Sequence, residues 1–367
     1  MASALSRRQL LQWLGLMGAG AVLPCRPLAL PAATGFAGAT VDIAGQYATT
    51  VCDDRGGLLW QQPLPDRGHA LALHPNGRWL AQCSRRPGYY LQLFERRDGT
   101  PLATIEAASG RYFNGHCLFG ERLLYATETV AESGAGCIGI YDGAAGWQRV
   151  GEWDSGGLDP HDLRWSADGR LIVVANGGLL SHPETPGIKL NIATMESSLA
   201  WLDAHTGTIV AQPRLAPELH QLSLRHLAVD RRGEVAVAMQ WEGAAMQRVP
   251  LVAVQHEVSG GLETLALPPA LLRSLRQYCG SAAVDASGRL LAVSSPVGGV
   301  TFIWDLAAQQ LVDEVRLPDG CGVAAAAQGF FLSSGRGQLC RWAVDGVVQL
   351  EAISGLQWDN HLLALPG

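Results

Sequence analysis

A short phrase recurs roughly every 45 residues along this chain, a period typical of propellers in which each repeat forms one four-stranded blade. Each copy consists of a turn, in most cases a histidine, and then a short apolar strand. The copies lie at Arg67-Gly68-His69, Asn114-Gly115-His116, Asp159-Pro160-His161, Arg225-His226, Gly280-Ser281, Gly320-Cys321 and Asp359-Asn360-His361. Seven copies predict seven blades, because each blade contributes one such strand to the ring.

A second series of turns supports the same count. Short turns rich in Asp and Gly, which favour β-hairpins, recur once in each repeat. They lie near residues 54–57, 98–99, 142–143, 203–207, 259–261, 305 and 345–346. The best helical stretch, 268–278, is a single short excursion between two repeats. The sequence therefore predicts an all-β fold, a seven-bladed β-propeller.

The two ends of the chain predict how this ring closes. Residues 361–365 read as a single inner strand, whereas residues 36–64 supply up to three strands without an inner one. Pairing the N-terminal strands with the C-terminal inner strand completes one blade and leaves only short, protected edges. The alternative is a six-bladed ring with disordered ends.

Residues 1–33 read as a targeting segment rather than as part of the fold. Arg7-Arg8 precedes Leu10-Leu11, and an apolar run that is too short to span a membrane follows from 13 to 23. Paired arginines in this position are typical of twin-arginine export, which carries folded proteins into the periplasm. We therefore expect cleavage of residues 1–33 and a periplasmic propeller formed by residues 34–367, with no integral membrane segment.

Charge and cysteine content exclude several classes of protein. The formal net charge is −6 and no arginine-rich stripe is present, which argues against nucleic acid as a partner. No Cys-x-x-Cys motif occurs, so a zinc ribbon, a thioredoxin-like site and a c-type haem site are not indicated. Cysteines in apolar strands act mainly as small hydrophobic residues. Cys279 and Cys321 stand out because they lie where other repeats carry histidine. We expect a monomer.

Propeller geometry predicts that the repeated histidines meet. The first strand of each blade lines the central channel, so the residue at its start lies at one mouth. The residues expected to converge at this mouth are His69, His116, His161 and His361. Counting back from Gly233 puts Arg225 in register with His69, so we expect either Arg225 or His226 to point away.

The loops between the second and third strands lie at the same mouth. In the third repeat this loop spans residues 176–198, and long loops inside compact domains are often functional. It carries His182 and Lys189, which we treat, together with Arg67 beside His69, as candidate cofactor-binding residues. The equivalent loops of other repeats are expected to bring further charges to this mouth: Arg85, Arg86, Glu128, Glu132 and Glu242. Asp159 and Asp162 flank His161 in sequence.

Several imidazoles at one mouth favour a transition-metal site, since histidine is the commonest metal ligand. The candidate ligands are His69, His116, His161, His226 and His361. Together with the Glu and Asp residues expected at this mouth, these histidines suit iron, copper, zinc or manganese. Two other interpretations stay open, namely a polar small-molecule site and histidines that only form hydrogen bonds with the channel wall. The other histidines of turns and strand ends are assigned structural or surface roles: His74, His205, His220 and His256.

Enzymatic activity is an alternative to metal binding alone. The common hydrolase, phosphate-binding and dinucleotide motifs are missing, but propeller enzymes build their sites from scattered mouth residues. In that case His161 is the candidate acid or base of a lyase, hydrolase or redox protein, and Arg67 or Arg225 holds an anionic substrate. A scaffold that uses its rim for protein contacts is a further alternative.

Several stretches of the chain form a recognisable pattern, which is most distinctive in the third repeat: Asp159-Pro160-His161-Asp162-Leu163, Val174-Ala175-Asn176-Gly177-Gly178, Ser181-His182-Pro183, Lys189-Leu190-Asn191, Leu224-Arg225-His226, Arg67-Gly68-His69 and Asn114-Gly115-His116. Over essentially the whole mature chain, the sequence resembles a known bacterial family, the domain-of-unknown-function family 1513. Ser181 stands where the family pattern has threonine, and Asp162 where it has glutamate. The resemblance implies a periplasmic propeller with a twin-arginine signal, encoded beside imelysin-like partners of iron acquisition, with no established reaction. It makes iron the favoured metal.

Overall fold

A computed structural model describes residues 33–185 and 187–366 of the chain. In these ranges it contains seven four-stranded antiparallel sheets, and their inner strands contact one another in a closed ring. The prediction of a seven-bladed β-propeller is confirmed. The predicted targeting segment lies outside the described residues except for Ala33.

Each blade follows the chain from the inner strand outward. Blade one comprises β4 (Gly68–Leu73), β5 (Trp79–Ser84), β6 (Tyr90–Glu95) and β7 (Pro101–Glu106). Blade two comprises β8 (Arg111–Phe119), β9 (Leu123–Val130), β10 (Ala135–Asp142) and β11 (Gln148–Leu158). Blade three comprises β12 (Pro160–Trp165), β13 (Leu171–Asn176), β14 (Ser198–Asp203) and β15 (Ile209–Ala211).

The following three blades repeat this order. Blade four comprises β16 (Leu222–Val229), β17 (Val235–Trp241), β18 (Val252–Gln255) and β19 (Glu263–Thr264). Blade five comprises β20 (Ser281–Val284), β21 (Leu290–Ser295), β22 (Val300–Asp305) and β23 (Gln310–Arg316). Blade six comprises β24 (Gly320–Ala325), β25 (Phe330–Ser334), β26 (Leu339–Ala343) and β27 (Gly346–Gln349).

Blade seven joins the two ends of the chain. Its inner strand is the C-terminal β28 (Gln357–Pro366), which pairs with β1 (Ala33–Val41), followed by β2 (Tyr47–Asp53) and β3 (Leu58–Pro63). The predicted mode of ring closure is therefore confirmed, and the six-bladed alternative is wrong.

Helical structure is short and peripheral. The α-helix α1 (Pro269–Ser274) lies between blades four and five, within the stretch where the sequence predicts an excursion. Three single-turn 3₁₀ helices span Gly143–Ala145, Ile192–Thr194 and Pro217–Leu219. None of the helices in the described ranges has the length and apolarity needed to cross a membrane.

Apolar side chains pack between neighbouring blades and hold the ring together. In blade seven the fully buried Phe36 ring lies 5.0 Å from the ring of Phe331 in blade six and 5.7 Å from that of Trp358. The outermost strands are more exposed; all four residues of β27 face solvent. The inner strands β4, β8, β16 and β24 are mostly buried.

We expect a Phe36→Ala variant to lower the free energy of unfolding by about 3–5 kcal/mol, because it leaves a cavity between blades six and seven. The matched control is Leu59→Ala in the same blade, since Leu59 is 61% exposed and its truncation should change stability by about 0.5 kcal/mol or less. Denaturant unfolding followed by tryptophan fluorescence measures both. Equal stability of the two variants would contradict this role for the blade contact.

Candidate metal centre

Five histidines, one from each of blades one to four and one from blade seven, meet inside the ring. The centroids of neighbouring imidazole rings lie 4.5–6.1 Å apart. Four of the rings are buried and the fifth, that of His161, is half-buried. The members of this histidine cluster are His69, His116, His161, His226 and His361.

Irregular strand pairing brings these side chains to the channel. The register of β4 shifts between Gly68 and Leu71, that of β8 between Phe113 and Cys117, and that of β28 around His361. Such β-bulges add a residue to one strand and re-aim its side chains. In contrast, β20, which carries Ser281 in place of histidine, pairs with β21 without any shift.

A bulge also corrects the expectation for blade four. Since the register of β16 shifts between Leu224 and His226, both Arg225 and His226 face the site. The His226 ring lies 4.7 Å from that of His161, and Arg225 Nη1 lies 3.2 Å from His161 Nδ1. The prediction that one of the two points away is wrong, because strict alternation along a strand ends at a bulge.

Glycine at position 115 lets two of the histidines approach each other. Gly115 has a φ of +105°, and a Cβ placed on it would lie 2.6 Å from Cδ2 of His69. Glycine adopts this backbone conformation without the steric cost that a side chain brings. The Asn-Gly-His phrase of blade two is therefore needed for the contact between His69 and His116.

Two buried carboxylates orient two of the imidazoles. Asp359 Oδ1 lies 3.0 Å from His69 Nδ1, while its Oδ2 accepts a 2.6 Å hydrogen bond from Arg67 Nε. Asp162 Oδ1 lies 3.0 Å from His116 Nδ1, close enough for an ion pair although off the line of a well-directed hydrogen bond. A carboxylate on Nδ1 favours the tautomer that leaves Nε2 free to bind a metal.

Neither carboxylate role is evident from strand alternation. Asp162 follows His161 in sequence, but its carboxylate contacts His116 of the neighbouring blade. Asp359 of blade seven contacts His69 of blade one. The available signal for Asp359 is its place two residues before His361 in the last copy of the repeated phrase. That signal indicates only that it is near the mouth, since the partner depends on how the blades meet.

Several nitrogens of the cluster lack a hydrogen-bond partner in the described part of the chain. They are both ring nitrogens of His116, His161 Nε2 and His226 Nδ1, all buried. Leaving a buried polar atom unpartnered costs about 1–3 kcal/mol. The Nε2 atoms of His69 and His361 lie 3.2 Å apart, and two imidazoles on one tetrahedral zinc ion would hold their nitrogens about 3.3 Å apart.

The donor atoms form two overlapping sets of three. One set contains His69, His116 and His361, and the other contains His116, His161 and His226. Within each set the donor atoms lie within 4.8 Å of one another. His116 belongs to both sets, so an ion bound by either one depends on this residue.

The environment holds four of the five imidazoles in the neutral form that metal binding requires. Burial, opposed by the Asp359 carboxylate, lowers the pKa of His69 to about 4. Burial and the Arg225 guanidinium lower the pKa of His161 well below its usual value. The pKa values of His226 and His361 fall in the same direction because of burial and the neighbouring histidines.

The long loop of blade three supplies a separate pocket beside the cluster. His182 and Lys189 line a cavity of about 130 Å³ together with Arg86 and Tyr112. The Lys189 ammonium pairs with Glu242, and His182 is 40% exposed, its Nδ1 accepting a hydrogen bond from the backbone of the same loop. The structure therefore brings Arg67 to the cluster through Asp359, but it places His182 and Lys189 in this side pocket.

Glu128 differs from its expected position in a mouth loop. It lies within β9, where it accepts hydrogen bonds from Tyr141 Oη at 2.6 Å and from Arg149 Nη2 at 2.9 Å. Its carboxylate therefore forms hydrogen bonds inside blade two and does not line the mouth.

The remaining histidines and the cysteines of the described residues take structural positions. The buried His74 packs between Trp79 and Phe119, whereas the other three, His205, His220 and His256, are exposed. The seven cysteines in these ranges are buried free thiols. Burial raises the pKa of both Cys279 and Cys321 to about 12, so these thiols are protonated at neutral pH in the metal-free protein.

An apolar cavity lies on the other side of the cluster. It has a volume of about 430 Å³ and extends along the channel from His226 and His361. Small apolar residues of the inner strands line most of it, and Arg164 is the charged residue in its wall. The cluster is therefore bounded by charged side chains at one mouth and by an apolar channel on the opposite side.

The fold and the site together define this protein as a seven-bladed β-propeller with a histidine cluster in its central channel. A family model described as a protein of unknown function (DUF1513) matches residues 62–365, and the chain belongs to this family. No curated protein matches the chain significantly.

A solved structure, hydrazine synthase from Kuenenia stuttgartiensis, is similar with a TM-score of 0.60 and 15% sequence identity. The similarity covers 92% of this chain and 99% of that chain. At this level of identity the likeness concerns the fold alone.

The stability of the metal-free protein should fall as the pH is lowered from 7 toward 4. The pKa of His69 drops from 6.5 to about 4 on folding, so in this interval the unfolded chain binds a proton that the folded chain excludes. This residue alone contributes a loss of about 1.4 kcal/mol per pH unit. His161, His226 and His361 shift in the same direction and steepen the loss.

Denaturant unfolding of the metal-free protein at pH 7, 6 and 5 measures this dependence. A His361→Gln variant should show a shallower slope, because one proton-excluding imidazole is gone. Asp162 and Asp359, whose pKa values are lowered, contribute loss only near and below pH 3.8. Constant stability between pH 7 and 5 would contradict the neutral, desolvated state of the cluster.

Proposed function

We propose that this protein binds a transition-metal ion at the histidine cluster, with iron as the favoured metal. The observation that carries the proposal is the convergence of five imidazoles, of which three present buried nitrogens without a hydrogen-bond partner in the described residues. Hydrogen bonding with the channel wall does not account for these nitrogens. A bound cation would satisfy them and would turn an unfavourable desolvation into coordination.

The chemistry of the donors narrows the class of metal. Neutral imidazole nitrogen suits iron, copper, zinc and nickel, whereas calcium and magnesium prefer oxygen ligands. The carboxylates Asp162 and Asp359 lie behind His116 and His69, where they make the imidazoles better donors. The resemblance to the periplasmic family of iron-acquisition neighbourhoods supports iron among the metals that this donor set accepts.

We further propose that the protein acts in the periplasm as a binding or delivery protein for iron, copper or zinc. The paired arginines of the N-terminal segment support export by the twin-arginine route, which would allow the folded propeller to take up its metal before it crosses the membrane. The family resemblance supports imelysin-like proteins of iron uptake as partners. We propose a monomer as the functional unit.

Elemental analysis of protein purified from the periplasm without a histidine tag tests the metal site. We expect near-stoichiometric metal in the wild type and its loss in a His116→Ala/His161→Ala double variant, because His116 belongs to both donor sets. The matched control is His205→Ala/His220→Ala, which removes two exposed histidines and should retain the metal. Circular dichroism melting shows whether each variant is folded.

The opposite result has a clear meaning. Wild-type protein that is purified without metal and takes up no Fe(II), Cu(II) or Zn(II) on titration would overturn the metal proposal. Equal metal content in the wild type and in the folded double variant would place the metal elsewhere.

The carboxylate behind His69 gives an independent test. We expect Asp359→Asn to weaken metal binding about 10- to 100-fold, because the amide no longer provides the charge that orients and polarises the imidazole. Competition with a chromophoric chelator measures the affinity, and Asp54→Asn in an exposed turn of the same blade is the control. Unchanged affinity in Asp359→Asn would mean that His69 is not a ligand of the ion.

A further inference from the structure

The mouth side of the histidine cluster carries more positive than negative charge. Arg86 and Arg225 share one carboxylate, that of Asp159, and the Arg225 Nη1 atom lies 2.9 Å from Asp159 Oδ2. Arg67 and Arg85 share the other, that of Asp359. Four guanidinium groups therefore surround two carboxylates, and Asp359 is also engaged by His69.

Arg85 is the member of this group with the weakest internal partner. Its nearest carboxylate atom in the described residues is Asp359 Oδ2, at 4.0 Å, and that oxygen already accepts the 2.6 Å hydrogen bond from Arg67. Burial and the Arg67 charge lower the pKa of Arg85, which shows an environment unfavourable to the cation. Yet its side chain is 39% exposed, so a ligand from solvent can reach it.

A second arginine offers an unused donor next to the cluster. The Arg225 side chain is 5% exposed, and its Nε atom is buried without a hydrogen-bond partner among the described residues. The Nη1 atom of the same guanidinium lies 3.2 Å from His161 Nδ1, which places the charge against the cluster. The Arg225 charge, which shares the Asp159 carboxylate with Arg86, therefore adds to the positive charge beside the cluster.

We propose that Arg85, together with Arg67 and Arg86, forms a binding site for a small oxyanion at the mouth above the histidine cluster. A planar guanidinium group can donate two parallel hydrogen bonds to two oxygens of a carboxylate or a phosphate. The site would therefore recognise the paired, negatively charged oxygens that both anions present. The surplus of positive charge belongs to the side chains themselves and does not depend on a bound metal.

One consequence rests on the proposed metal site. Arg85 Nη1 lies 4.0 Å from Asp359, whose carboxylate contacts His69, so the Arg85 charge opposes a metal cation on the same side of the cluster. An anion on Arg85 neutralises that charge and should tighten metal binding, and by linkage the metal should tighten binding of the anion to the same extent.

Isothermal titration of the metal-free wild-type protein at low ionic strength tests the oxyanion site directly. The probes are succinate and inorganic phosphate, with chloride as the comparison anion. We expect saturable binding of at least one oxyanion and a loss of about tenfold or more in Arg85→Gln. Arg85→Lys, which keeps the charge but not the fork, should lie between the two.

The matched control is Arg78→Gln in the same blade, whose side chain is 68% exposed and pairs with Glu95. It should bind the oxyanions as the wild type does. Succinate binding without phosphate binding would assign the site to carboxylates, and the reverse would assign it to phosphates. No saturable binding to the wild type, or equal binding in folded Arg85→Gln, would overturn the proposal.

The metal content of the same variants separates this proposal from the proposed function. Arg85→Gln should retain the metal while losing the oxyanion, because Arg85 is not among the imidazole donors. Loss of metal with unchanged oxyanion binding would overturn the anion site and make Arg85 a positioning residue for Asp359.

Discussion

The pairing of the C-terminal strand β28 with the N-terminal strand β1 is the interaction on which both the ring and its site depend. It places the first and last strands of the described residues in one blade and leaves no open sheet edge between blades six and one. The same strand carries Asp359 and His361, which reach His69 of blade one. Closing the ring therefore also completes the histidine cluster, and a change that opens blade seven removes a carboxylate and an imidazole from the site.

Inside the ring, the inner strands that carry the clustered histidines are interrupted by β-bulges. β-Sheets alternate their side chains between two faces, so neighbouring residues such as Arg225 and His226 cannot both face one site in a regular strand. The bulge in β16 lifts this restriction, and related shifts occur in the other strands that contribute histidines. These bulges allow the inner strands to point their histidines, and Arg225, into the same part of the channel.

Five imidazoles in one buried site would repel one another if they were protonated, so their surroundings determine their charge. Burial and mutual repulsion keep four of them neutral, while Asp162 and Asp359 stay charged because arginine and histidine neighbours outweigh the effect of burial. Guanidinium groups lie on the mouth side and small apolar residues line the channel on the other. From the mouth inward, the site therefore changes from guanidinium groups to neutral imidazoles and then to an apolar channel.

The amino-acid sequence by itself determined the blade count, the mode of ring closure and four of the five clustered histidines, His69, His116, His161 and His361, because these depend on a repeat period and on the fixed order of strands in a blade. Propeller geometry carries equivalent positions to one mouth whatever the detailed packing, so His69 and His361 can be placed together from 292 residues apart in sequence. Only the tertiary structure decided that Arg225 and His226 both enter the site, that Asp162 serves His116, and that His182 and Lys189 line a separate pocket. Bulges, loop paths and contacts between blades set these details, and they depend on packing across the ring, which a repeat pattern along the chain does not specify.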